Sequence, residues 1–222
     1  MYTIQYKLES IKAYLPETVK LVAVSKTYPT EIILEAYQAG QKVFGENKAL
    51  ELRDKYELLP KDIEWHFIGH LQTNKVKYIA PFVHLIHSID SISLLQEIDK
   101  QAVKNHRSID CLLQFHIASE ETKFGLSQEE AFDLLNSKEF HELKNIRIVG
   151  VMGMATNTFD QELIRSEFDY LFNIYTHLKH NFFFRESFFS EISMGMSGDF
   201  QIAVQEGTTM VRLGSVIFGE RG

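Results

Sequence analysis

Leu21-Val22-Ala23-Val24-Ser25-Lys26-Thr27 is an apolar run that closes on a lysine, and helical periodicity from Pro29 to Ala39 and a second short run, Lys42 to Phe44, follow it. A short continuous apolar run of this kind reads as a buried strand. The same unit recurs along the chain. Further strand-like runs lie at Glu64 to Ile68, Val83 to His87, Asp110 to Ile117, Arg147 to Met152, Glu191 to Met194 and Met210 to Leu213. Helical stretches separate them at Lys48 to Leu58, Asn74 to Ile79, Ser91 to Asn105, Gln128 to Asn136, Phe159 to His180 and Phe200 to Gln205. Eight strands alternating with helices predict an α/β fold closed as a (β/α)8 TIM barrel. Capping signals agree, since Ser127 is followed three residues on by Glu130, and Thr30 precedes an apolar stripe at Ile33 and Leu34. No Pro/Gly/Ser-rich linker interrupts the pattern, so residues 1–222 are expected to form one domain. Its loops must be tight, because such barrels typically take about 250 residues. The runner-up, an open doubly wound sheet, lacks its fingerprint: neither G-x-G-x-x-G nor G-x-x-x-x-G-K-[ST] occurs.

Composition narrows the function. A net charge of −7, with lysines and arginines dispersed among acids, argues against the clustered basic face of a nucleic-acid binder. Cys111 is the sole cysteine, which permits no intrachain disulfide, and between apolar neighbours it reads as a core thiol. The segment Met1 to Lys7 lacks the apolar core of a signal peptide, and no stretch reaches transmembrane length. A cytoplasmic protein without a membrane partner is expected.

Chemistry in a barrel gathers where the strands end. Lys26 follows the first run, Gly45-Glu46-Asn47 closes the second, Gly69-His70-Leu71-Gln72 follows the third, Gly195-Met196-Ser197-Gly198-Asp199 the seventh and Gly214-Ser215 the eighth. Burying a lone lysine costs roughly several kcal/mol unless its charge is paired, neutralised or consumed, and a Schiff base consumes it. The bland alternative is a stem packed on the rim with its amine in water. The loops after strands seven and eight are where barrels commonly hold phosphate. Gly195 and Gly198 admit close backbone approach, Ser197 adds a hydroxyl, the helix opening near Phe200 offers N–H groups, and Gly214 and Ser215 repeat this chemistry. Together with Arg212, these residues describe a site for a phosphorylated aldehyde. Pyridoxal 5′-phosphate fits best, as an aldimine on Lys26 with its phosphate at Ser197, Gly198, Gly214 and Ser215. Arg212 then faces the pyridine nitrogen, or else pairs with a neighbouring acid.

Other residues carry blander readings. His66 and His70 have the spacing of a zinc pair, but the segment reads as strand and Phe67 replaces the glutamate, so no metal is expected. His84 and His87 read as core or rim histidines, and Lys123 as a solvated loop residue near the mouth. Met152 and Met154 pack against a planar ring or fill the core. The phenylalanines from Phe182 to Phe189 read as packing.

These segments resemble the pyridoxal-phosphate homeostasis protein family, single-domain relatives of the alanine racemase N-terminal barrel. The resemblance rests on Ala23-Val24-Ser25-Lys26-Thr27, Phe44-Gly45-Glu46-Asn47, Trp65-His66-Phe67-Ile68-Gly69-His70-Leu71-Gln72-Thr73-Asn74-Lys75, His87-Ser88-Ile89-Asp90-Ser91, Ser193-Met194-Gly195-Met196-Ser197-Gly198-Asp199 and Val211-Arg212-Leu213-Gly214-Ser215, and it runs nearly end to end. One departure is Gly153, where the family often carries a bulkier polar residue. The resemblance implies an alanine racemase-like (β/α)8 barrel, an internal aldimine at Lys26 and Asn47 near the ring. It also implies binding or handing over of vitamin B6 cofactor rather than turnover, with apo-enzymes that use pyridoxal phosphate as recipients.

Two enzyme readings compete with the carrier. A racemase needs an acid/base group on each face of its carbanion, which in alanine racemases requires a further C-terminal domain; a chain ending at Gly222 is expected to lack it and to leave the site open to water. A class I aldolase-like enzyme would use the lysine and phosphate cradle without cofactor. The carrier is favoured, as a monomer, with a weak racemase-like enzyme as the alternative.

Overall fold

In the computed structural model, residues 3–120 and 124–219 are described. Eight strands, β1 (Lys20–Val24), β2 (Val43–Glu46), β3 (Glu64–Phe67), β4 (Leu85–Ile89), β5 (Ile109–Phe115), β6 (Ile146–Gly153), β7 (Glu191–Ser193) and β8 (Met210–Leu213), pair in parallel and in chain order. The circle closes where Lys20 to Ala23 align with Met210 to Leu213. The predicted (β/α)8 barrel is therefore the fold. The helices are α1 (Ile4–Tyr14), α2 (Thr30–Gln38), α3 (Ala49–Leu58), α4 (Val76–Ile79), α5 (Ile92–Lys104), α6 (Gln128–Asn136), α7 (Lys138–Glu142), α8 (Gln161–Asn181), α9 (Phe200–Gln205) and α10 (Ser215–Phe218).

Alternation along each strand divides the core into two shells. Val22, Leu85, Leu112, Val149, Met152 and Met210 fill the barrel interior. Their neighbours Leu21, Ala23, Trp65, Phe67, Val211 and Leu213 face outward and pack with helix residues such as Leu52, Ile98, Phe168 and Leu171. The period of two decides the site. Lys20, Val22 and Val24 fall on one face of β1, and Lys26 follows on the turn two residues beyond Val24, lining the same cavity as Val24.

All eight expected strands form, with shifted ends: β4 starts at Leu85 instead of Val83, and β2 runs on through Gly45 and Glu46. Ser127 and Glu130 make the reciprocal cap of α6. Thr30 does not cap α2. Pro29 stands at that position in an extended conformation, leaving Thr30 inside the first turn without a side-chain cap bond. Three helices had no sequence expectation. α1 buries only Ile4 and Leu8, too sparse a stripe to show a period, although Thr3 caps it by accepting Tyr6 N–H. α7 and α10 have five and four residues, too short for periodicity. Cys111 is buried in the core, where burial pushes its thiol far above the usual range. Among the described residues, no helix is long and apolar enough to cross a membrane.

Candidate functional site

The strand ends converge on a cavity of about 460 Å³, lined by Val24, Lys26, Asn47, Ile68, Met154, Met196, Ser197, Gly198, Arg212, Gly214 and Ser215. Each of the seven residues expected from the sequence lies on this wall. The volume suits one small ligand.

Lys26 rides on a turn clamped from behind. Thr27, immediately after it, has φ of 70°, an uncommon conformation for a β-branched residue. Three side chains hold that turn. Glu51 Oε1 accepts Thr27 N–H at 2.7 Å, Glu46 Oε1 accepts the Ser25 hydroxyl at 2.6 Å, and Lys55 Nζ donates to Ser25 O at 2.8 Å. Lys55 also joins the two carboxylates, 2.7 Å from each. Burial pushes the Glu46 carboxyl up despite Lys55. Burial acts the same way on Glu51, but the Lys55 ammonium and Thr27 N–H outweigh it and hold that carboxyl below its ordinary range. Sequence reasoning quoted Glu46 but not this network. Its signals were a glutamate closing a buried strand and the i,i+4 pair Glu51 and Lys55 on α3.

Across the mouth, the loops after β7 and β8 interlock. Gly214 N–H donates to Ser197 Oγ at 3.3 Å, and Asp199 Oδ1 accepts Met196 N–H at 2.5 Å, folding the loop onto itself. Gly195 needs to be glycine: its φ is +94° and an added Cβ would stand 2.7 Å from Ala203 Cβ. Gly198 has no such need, because an added Cβ there meets no protein atom within 4 Å. The space belongs to the cavity. One expectation fails here: the Asp199 and Phe200 amides at the start of α9 turn back to Met196 O, at 3.1 and 2.9 Å, and are not free donors.

Arg212 is buried, donating from Nη1 to Ser193 Oγ at 2.6 Å and from Nη2 to Gly153 O at 3.0 Å. A carbonyl is the partner at Gly153, so the departure at that position leaves the contact intact. Burial lowers the guanidinium to about 10, with Asp199 opposing, so it stays cationic at neutral pH. Ser193 Oγ also lies 3.0 Å from His87 Nδ1, and His87 Nε2 lies 3.0 Å from His66 Nδ1. Both histidines are core residues held neutral by burial, with neighbouring positive groups adding to the effect. His66 and His70 do not meet as a pair: His70 is exposed, with Nδ1 3.4 Å from Asp90. Met154 lines the cavity and Met152 fills the interior core. Lys123 lies outside the described residues.

The wall fits a phosphorylated pyridine aldehyde. It offers a primary amine, a guanidinium cation, a glycine whose Cβ space is open, and Asn47 Oδ1, a buried acceptor without a hydrogen-bond partner among the described residues.

Comparison with known proteins agrees. Residues 2–222 match the family described as alanine racemase, N-terminal domain. The chain is 42% identical over 203 residues to the pyridoxal phosphate homeostasis protein of Aquifex aeolicus, covering 91% of this chain and 87% of that one. It is 36% identical to that of Vibrio alginolyticus, covering 100% and 99%. The structure of PipY of Synechococcus elongatus PCC7942 with PLP bound matches at TM-score 0.87 and 32% identity, over 98% of this chain and 100% of that one. An alanine racemase from Bartonella henselae shares the fold at TM-score 0.70 and 14% identity, and this chain covers 60% of it. With more than 30% identity over nearly its whole length, the chain belongs to the pyridoxal phosphate homeostasis protein family, within the alanine racemase N-terminal domain family.

Proposed function

We propose that this protein holds pyridoxal 5′-phosphate covalently at the barrel mouth and serves intracellular homeostasis of the cofactor, storing and delivering it without substantial catalysis. The observation that carries the reading is the convergence of Lys26, Asn47, Ser197, Gly198, Arg212, Gly214 and Ser215 on one cavity. When bound, the cofactor supplies an aldehyde to an amine and, in enzymes, an electron sink. Lys26 Nζ is the amine that condenses with it, water leaving. Ser197, Gly198, Gly214 and Ser215 hold the phosphate, and Asn47 stands beside the ring. Arg212 faces the ring nitrogen, and a cation there disfavours ring protonation and weakens the electron sink, which suits a carrier. We take residues 1–222 as one such unit, acting as a cytoplasmic monomer, with apo-enzymes that use the cofactor as recipients.

Two measurements test this. Cofactor-loaded protein mixed with a pyridoxal-phosphate apo-enzyme is expected to restore its activity. The loaded protein, incubated with amino acids in deuterated water, is expected to show negligible α-hydrogen exchange. Rapid exchange that depends on Lys26 would replace the carrier with a racemase-like enzyme.

A further inference from the structure

At the barrel end opposite Lys26, three metal-ligating side chains come together. Glu64 and His66 lie two apart on β3 and share a face, and His84 joins the ladder beside them through its N–H to Trp65 O at 2.8 Å. One ligand atom from each of Glu64, His66 and His84 lies within 4.8 Å of the other two. His84 Nε2 is 3.7 Å from Glu64 Oε2, and the His66 and His84 rings lie parallel, 1° apart, with centroids 5.6 Å apart.

His66 is the anchor of the cluster. It is fully buried, its Nδ1 is engaged with His87, and its Nε2 has no hydrogen-bond partner among the described residues. A buried polar atom left unpaired costs about 1–3 kcal/mol, so its persistence calls for a partner. The hydrogen-bond chain says which kind. When His66 Nδ1–H donates to His87 Nε2 and His87 Nδ1–H donates to Ser193 Oγ, His66 Nε2 presents a lone pair at the barrel floor. Metal-bound histidines are held in this way, their other N–H tied to an outer acceptor.

We infer that Glu64, His66 and His84 bind a divalent transition-metal ion of the Zn²⁺ class. Two imidazoles and a carboxylate, with a fourth position left for water, are a zinc donor set. The Glu64 and His84 side chains are 44% and 49% exposed, so they have room to close around an ion. Local charge permits it: in the adjoining cavity Lys20 and Arg147 are matched by Asp110 and Glu191, and Glu64 adds a further carboxylate. Occupancy would fix the direction of the hydrogen bonds that run through His87 and Ser193 to Arg212, linking the barrel floor to the mouth.

The test is a Zn²⁺ titration of the full chain against a chromophoric chelator, with Co²⁺ absorption reporting coordination geometry. The expected result is one equivalent of Zn²⁺ and tetrahedral Co²⁺ bands. His84→Ala and Glu64→Ala, both at half-exposed positions, are expected to weaken zinc binding at least about tenfold each, no less than the loss of an outer-shell partner. His141→Ala, on an exposed helix away from the cluster, is expected to leave it unchanged. No bound zinc in the unaltered protein, or equal binding by the His84→Ala and Glu64→Ala variants, would overturn the inference.

Discussion

Gly195 and Gly198 stand three residues apart in one loop and answer to different demands. Gly195 is required by the backbone, through its positive φ and the crowding of Ala203, whereas the Cβ space of Gly198 is open. Gly195→Ala is therefore expected to destabilise the fold by about 1–3 kcal/mol, as overpacking combined with a disfavoured φ does. Gly198→Ala is expected to leave stability within about 0.5 kcal/mol, yet to weaken pyridoxal phosphate binding as its methyl enters the cradle. Urea unfolding beside cofactor titration separates the two. A Gly198→Ala protein that unfolds early but binds normally would show that the glycine serves the loop and not a ligand.

Behind Lys26, α3 and the end of β2 act together as a clamp. Glu51 lies below its ordinary range, so its contribution is present in full above the usual carboxylate range and is lost as pH falls through its folded value. Glu46 works the other way: its raised carboxyl makes its charge a cost at neutral pH, one that shrinks towards acid. Glu51→Gln is expected to lose about 1 kcal/mol at pH 7, after allowance for solvent screening, and to flatten the acid limb of stability against pH. Unfolding free energies from pH 7 to pH 3 check this, and a limb as steep as that of the parent protein would contradict it. The clamp also shows where sequence reading stopped. The eight strands were legible because each is a short β-rich run bounded by helical periodicity, and alternation from Val22 to Val24 set the side on which Lys26 emerges. The mouth residues were legible because a barrel places function directly after its strands. Lys55 was not, since a lysine on an amphipathic helix reads as solvated, and only the fold shows it buried against Ser25 and Glu46. The nearness of His84 to His66 was hidden likewise, because the spacing in the sequence offered only His70, four residues on, whereas strand pairing brings up His84.

At the scale of the molecule, the barrel interior combines an apolar cluster of Val22, Leu85, Leu112, Val149, Met152 and Met210 with a line of buried polar side chains. Lys26 emerges at the mouth, and Glu64, His66 and His84 gather at the floor. The chain from Arg212 through Ser193 and His87 to His66 is a polar path through that interior. The mouth is open to solvent, and Met196 on its wall is 36% exposed. The most direct test is the visible spectrum of the protein with pyridoxal 5′-phosphate, before and after borohydride reduction, with the modified peptide located by mass spectrometry. The account predicts a yellow band that reduction removes, leaving a single adduct on Lys26 that Lys26→Ala abolishes. No band, or adducts scattered over surface lysines, would contradict it.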